Sequence, residues 1–168
     1  MQARASWLSK LLGRSRLADV FTPEKRSDVM SRIRSRDTLP ELILRRGLHA
    51  LGFRYRVNDQ RLPGRPDLVL PKFRAVILVN GCFWHGHDCH LFRLPRTRRD
   101  FWQQKIDANK ERDARNFLLL TEADWRVMVI WECALKGRTR MPVEAVIPRV
   151  ADWLTGAAAS SEIRGYSE

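Results

Sequence analysis

Cysteine is scarce in this chain, with three in 168 residues, too few for the disulfide framework of a small secreted scaffold. No uninterrupted apolar run approaches the ~20 residues of a bilayer-spanning helix, so a soluble protein without a membrane partner is expected. Acidic groups are few beside the basic ones: 19 Asp and Glu stand against 31 Lys and Arg, giving a net charge of +12 and a pI near 10.7. There is no internal repeat. With 44% hydrophobic and 30% charged residues, the composition is globular and excludes a wholly disordered basic tail. A chain of this length suits one domain, burying roughly 65–70% of the surface of its unfolded form.

A surface with so much uncompensated positive charge repels itself unless a polyanion is its neighbour. Nucleic acid is the leading partner, because the basic residues are mostly Arg, whose planar fork grips phosphate oxygens or guanine edges bidentately. Charge alone does not separate this from a merely solvated surface; particular sites must.

Residues 1–22 are basic, poor in acid and only weakly apolar, and read as a mobile extension or a dispensable product of an upstream start codon. The run SDVMSRIRSR over 27–36 places Met30 and Ile33 about one helical turn apart among arginines, as in a short basic helix or arm. Thr38-Leu-Pro-Glu41 has the form of a capping box, followed by Leu44, Leu48 and Leu51 at helical spacing and a stop at Gly52. Phe53, Tyr55 and Val57 alternate with arginines, predicting a half-buried strand, and two apolar strands follow at 67–70 and 75–79. Residues 80–100 lack periodicity and hold three of the four His and two of the three Cys, as a functional loop does. A helix over about 101–120, a strand over 125–131 and a last helix through Val143 to Leu154 complete an order αβββαβα, that is, a mixed sheet flanked by helices. The main domain is expected over 23–155, with 156–168 a flexible small-residue tail.

Cys82-x4-His87-x-Cys89 with Cys133 at the end of a later strand offers a tetrahedral sulfur and nitrogen set for Zn²⁺. All four positions are then filled by protein, which makes such a site structural and leaves no place for a substrate water. The bland alternative is three reduced, buried cysteines. Spacing alone does not decide which histidine of the loop is the ligand.

Arg65-Pro66-Asp67 at the mouth of an apolar strand, followed by the end of a second one, has the outline of the PD-(D/E)xK site of restriction-like nucleases. A carboxylate there can hold Mg²⁺ for phosphodiester hydrolysis. The second half of that motif is missing: where an acidic residue and a Lys belong, this chain has Val79-Asn80-Gly81. His85, in the adjoining loop, can take a proton near neutral pH, although such a histidine is as readily an exposed or supporting group.

Taken together, PGRPDLVL, NGCFWHGHDCHLF, RTRRDFWQQKIDANKERD and WRVMVIWECALKG, in this order and spacing, resemble the very short patch repair (Vsr) endonuclease family over about residues 25–137. The resemblance implies a restriction-endonuclease-like α/β fold with a structural zinc, and Mg²⁺-dependent nicking of double-stranded DNA 5′ to the thymine of a T:G mismatch, the product of 5-methylcytosine deamination. It implies Asp67 as the Mg²⁺-binding aspartate, His85 as the catalytic acid or base, Glu41 as an acidic residue near the metal, and Cys82, His87, Cys89 and Cys133 as zinc ligands. Val79 stands where the family often has Thr and would give Mg²⁺ its main-chain carbonyl; Asn80 stands where relatives often carry His.

By the same resemblance Phe83, Trp84 and Trp102 are aromatic residues inserted beside the mismatch from the major groove, while Met30 and Ile33 approach from the opposite groove. Flat rings can replace the stacking lost when a mispair opens. Arg93, Arg96, Arg98 and Arg99 then position the duplex through its phosphates. A bacterial, cytoplasmic and nucleoid-associated enzyme is implied, with mismatch-repair factors as partners. It should act as a monomer, since a mismatch lacks the two-fold symmetry of a palindrome. Two other readings compete: a zinc-stabilised DNA-binding module without catalysis, and a restriction-like nuclease without mismatch specificity.

Overall fold

The structure, a computed structural model, describes residues 36–167; the basic arm with Met30 and Ile33, and the extension over 1–22, lie outside the described residues. Helix α1 (Leu39–Ala50) begins where Thr38 and Glu41 close a capping box, with Pro40 in the first turn, where a missing N–H costs nothing. It ends in a Schellman motif: Phe53 N–H donates to the Leu48 carbonyl and Gly52 N–H to that of His49, with Gly52 at φ +86°. The expected periodicity holds for Leu44 and Leu48, both fully buried, but Leu51 is the cap residue and is exposed.

The sheet has five strands in the order β1 (Arg56–Val57), β2 (Leu68–Leu70), β3 (Ala75–Asn80), β4 (Arg126–Trp131) and β5 (Ser160–Ile163). The first three pair antiparallel, whereas β3, β4 and β5 run parallel, so the sheet is mixed as the sequence predicts. Two expectations are corrected. The alternation from Phe53 to Val57 gives only two paired residues, Arg56 and Val57; Phe53 and Tyr55 instead pack against the core from irregular backbone. Residues 156–168 are not simply a tail, since Ser160–Ile163 adds the parallel edge strand and buries Ile163.

Helix α2 (Arg99–Glu122) lies between β3 and β4, the short α3 (Glu132–Leu135) follows β4, and α4 (Val143–Thr155) precedes β5. Side chains alternate across the strands and sort into two cores. Leu68, Leu70, Ile77, Met128 and Ile130 join Leu44 and Leu48 of α1 and Val146, Val150 and Leu154 of α4 on one face. Val69, Val76 and Val127 meet Leu120 of α2 on the other. Each fully buried leucine stabilises the layers by about 1.5–3 kcal/mol. The result is a helix, sheet and helix sandwich.

Candidate active site and metal centre

Two consequences of strand register build the site. Because β3 and β4 are parallel with Asn80 opposite Trp131, the residues two beyond each, Cys82 and Cys133, arrive side by side. The loop after β3 folds back through His87 N–H to the Cys82 carbonyl at 3.0 Å and brings in His87 and Cys89. The ligand atoms of Cys82, His87, Cys89 and Cys133 all lie within 4.8 Å of one another, close to the ~3.8 Å edge of a tetrahedron with zinc–sulfur bonds of ~2.3 Å. His87 Nδ1 stands 3.5 Å from the sulfurs of both Cys82 and Cys133. Of the loop histidines, His87 is the one beside the sulfurs, while His85 faces Asp113 and His90 faces Thr139.

The donor set fits a metal ion. Burial pushes the Cys82 and Cys133 thiols above their ordinary range, and the nearby Cys89 adds to the rise, so without a cation these sulfurs stay protonated. Backbone N–H groups nonetheless point at them, from Cys133 to the Cys82 sulfur at 3.3 Å and from Gly165 to the Cys133 sulfur at 3.4 Å. Burial, helped by Arg164, holds His87 below its usual pKa, which keeps the ring neutral as a metal ligand must be. Gly86, between the two histidines, is required on two counts. Its φ is +58°, and a Cβ there would sit 2.4 Å from Lys110 Cε and 2.7 Å from Ile106 Cγ2 of α2.

On the other side of the loop, Asp67 stands just before β2 and its Oδ2 accepts the Val79 N–H at 2.7 Å, so the antiparallel β2 and β3 deliver these two residues together. Burial raises the Asp67 pKa to about 6; the Glu41 charge adds to the rise, while the Val79 N–H, Arg45 and His85 oppose it. Among the described residues Oδ1 of Asp67 accepts no hydrogen bond, which leaves it available to a cation. Glu41 is buried, at 3% exposure. Its carboxylate accepts the backbone N–H groups of Asp37 and Thr38, the Thr38 hydroxyl at 2.8 Å and Arg45 Nη2 at 2.7 Å. Both of its oxygens are thus engaged in capping α1, and it adds negative charge beside Asp67 rather than a free ligand.

His85 Nδ1 bonds the Asp113 carboxylate, and one helical turn away Asn109 Nδ2 donates to the Trp84 carbonyl at 2.8 Å. Sequence reasoning missed Arg45, Asn109 and Asp113. The i, i+4 placement of Asn109 and Asp113 on α2 is the available signal, and it lies in a polar helix face that reads as solvated.

Phe83, Trp84 and Trp102 belong to neither core. Phe83 meets Trp84 and Trp102 edge to face, with centroids at 5.1 Å and 5.5 Å, and the two tryptophans are tilted against each other at 6.0 Å. Lys105 Nζ lies 5.5 Å from the Trp84 ring and 5.8 Å from that of Trp102. Arg93, Arg96, Arg98 and Arg99 are all exposed on the same connection or the start of α2, and Arg98 stacks over Phe101 at 4.4 Å.

A mixed sheet between helices, with an Asp at the antiparallel pair and, at the parallel pair, a Cys₃His cluster that could hold a metal ion, is the arrangement of a restriction-endonuclease-like nuclease fold. The family profile described as DNA mismatch endonuclease Vsr matches residues 18–91. The chain is 46% identical over 147 residues to DNA mismatch endonuclease Vsr of Escherichia coli, covering 88% of this chain and 94% of that one. It is also 46% identical over 122 residues to the type II nicking enzyme V.NmeAIP of Neisseria meningitidis, 73% of this chain and 87% of the relative. To V.XorIIP of Xanthomonas oryzae pv. oryzae it is 45% identical over 119 residues, 71% and 88%. The chain belongs to the Vsr family of DNA mismatch endonucleases. No helix among the described residues is long and apolar enough to cross a membrane.

Proposed function

We propose that this protein nicks double-stranded DNA on the 5′ side of the thymine in a T:G mismatch and so starts very short patch repair, with Zn²⁺ in the Cys82, His87, Cys89 and Cys133 cluster and Mg²⁺ at Asp67. The observation that supports this reading is the placing of Asp67 within electrostatic reach of His85, itself bonded to Asp113, where β2 begins and β3 ends. Mg²⁺, held by Asp67 and the Val79 main-chain carbonyl, would polarise the phosphoryl oxygens and lower the pKa of the attacking water. Asp113, an acceptor-only group when ionised, fixes the proton on Nδ1 of His85 and leaves Nε2 with its lone pair. His85 Nε2 therefore takes the proton from the attacking water, and Asp113 stabilises the imidazolium that results. The Glu41 charge beside Asp67 raises the Asp67 pKa when the site is empty, and the same negative potential would attract a divalent cation there.

Zinc would supply no chemistry to the reaction; its four protein ligands hold the loop that carries Phe83, Trp84 and His85. Those rings and Trp102 would stack where the mispair opens, and a wobble pair costs less to unstack than a matched one. Arg93, Arg96, Arg98 and Arg99 would hold the phosphates. The protein would act as a monomer in the bacterial cytoplasm on nucleoid DNA, handing the nick to repair factors. The test is strand cleavage of a T:G duplex against the T:A duplex of the same sequence, with and without Mg²⁺. Mg²⁺-dependent cutting of the T:G duplex alone is expected; cutting of both at equal rates, or of neither, overturns the reading.

A further inference from the structure

We propose that Trp131 is a positioning residue that ties the metal cluster to the loop carrying His85, and that Glu162 of the edge strand β5 holds Trp131 in place. A histidine that binds metal through one ring nitrogen normally gives its other N–H to a carboxylate or carbonyl, which fixes the ring. His87 turns Nδ1 to the sulfurs, and its Nε2 is buried with no hydrogen-bond partner among the described residues. What fixes the ring instead is a flat contact: the Trp131 indole lies parallel to it, with centroids 4.1 Å apart and planes within 12°. The same indole meets His85 edge to face at 6.5 Å and 72°. Its Nε1–H donates to Glu162 Oε1.

The segment around Glu162 makes two further contacts with the metal centre. Gly165 N–H points at the Cys133 sulfur at 3.4 Å, and Arg164 Nη2 donates to the Asp88 carbonyl, between ligands His87 and Cys89, at 2.8 Å. A side chain at Gly165 would place its Cβ 2.5 Å from the Cys133 carbonyl oxygen, so this close approach depends on glycine. β5 and the two residues after it thus form an outer shell around a cluster whose four residues all come from earlier in the chain. Through Trp131 that shell reaches His85.

The hold of Trp131 on His87 stands on the cluster alone; its effect on His85 rests on the function proposed above. The two fail separately, because a His85→Ala protein that nicks normally removes the proposed mechanism and leaves zinc release unaffected. The experiment mixes the zinc-loaded full chain with excess chromophoric chelator and follows zinc release, then measures kcat and KM for T:G nicking. Trp131→Ala should release zinc at least ~10-fold faster than the parent, the scale on which outer-shell partners act. Trp131→Phe keeps a flat ring without the N–H, and Glu162→Ala removes the acceptor, so each should accelerate release only about 3-fold. Their double variant should be no faster than either, since both break one hydrogen bond. In nicking, Trp131→Ala should lower kcat with KM unchanged, and Trp131→Phe should restore most of it. Zinc release from Trp131→Ala at the parent rate overturns the proposal, as does an activity loss confined to KM. If Trp131→Ala does not fold, Glu162→Ala on the exposed edge strand decides: faster release supports the proposal and unchanged release overturns it.

Discussion

His85 and Asp113 are bonded across 28 residues of chain, from the loop after β3 to the middle of α2. In the proposed mechanism this pairing orients His85 and selects the tautomer that a general base needs. Asp113→Asn should therefore lower kcat at least ~10²-fold with KM for the duplex little changed, since an amide that donates to Nδ1 favours the wrong tautomer. Single-turnover nicking at saturating enzyme checks this, and an unchanged rate would make Asp113 a packing residue.

Asp67 gives two effects of opposite sign. Its pKa near 6 means that the ionised form needed for Mg²⁺ is lost as pH falls through 6, so nicking at low Mg²⁺ should rise with pH across that range. Raising Mg²⁺ should move the midpoint down. For stability the folded pKa lies above the unfolded one, so the folded state binds the extra proton and the penalty of a charged Asp67 is fully present only above pH 6. Partial solvent access limits that penalty to about 1–2 kcal/mol. Asp67→Asn should accordingly abolish nicking yet raise Tm at pH 8, with the gain vanishing towards pH 4. Thermal melts across that range decide it.

The parts legible in the sequence are those whose partners are close in the chain or marked by rare residue types. The Thr38 and Glu41 capping box is local, and the Cys₃His cluster includes every cysteine present. Two features failed to show for the opposite reason. Asp113 sits in a run of charges that any solvated helix face would carry, and only the fold brings it to His85. β5 has the exposed, hydroxyl-rich sequence Ser160 to Ile163 with one buried side chain, too weak a pattern for a strand whose pairing to β4 is long-range and parallel. Trp131 could be read as buried strand, but not as the ring lying on His87.

Gly86 should tolerate no side chain. Gly86→Ala places a methyl against Lys110 and Ile106 at a left-handed φ, two costs that together should destabilise the fold by about 2–3 kcal/mol and loosen the His85 and His87 loop. Denaturant unfolding measures the first, and zinc content after dialysis against a chelator the second.

The exposed arginines should act on affinity without altering which strand is cut. Replacing Arg96, Arg98 and Arg99 by Ala should weaken binding to T:G and T:A duplexes alike and reduce the salt slope by about 0.9 for each phosphate no longer neutralised. Trp84→Ala or Trp102→Ala should instead erode the preference for T:G. Titrations of both duplexes at several salt concentrations separate the two classes.

Catalysis through a cation at Asp67 is tested most directly by Asp67→Ala on the T:G duplex in Mg²⁺, with binding and nicking measured on the same preparation. This variant should hold its zinc, bind the mismatched duplex and fail to cut it. Nicking at the parent rate would contradict the assignment of Asp67.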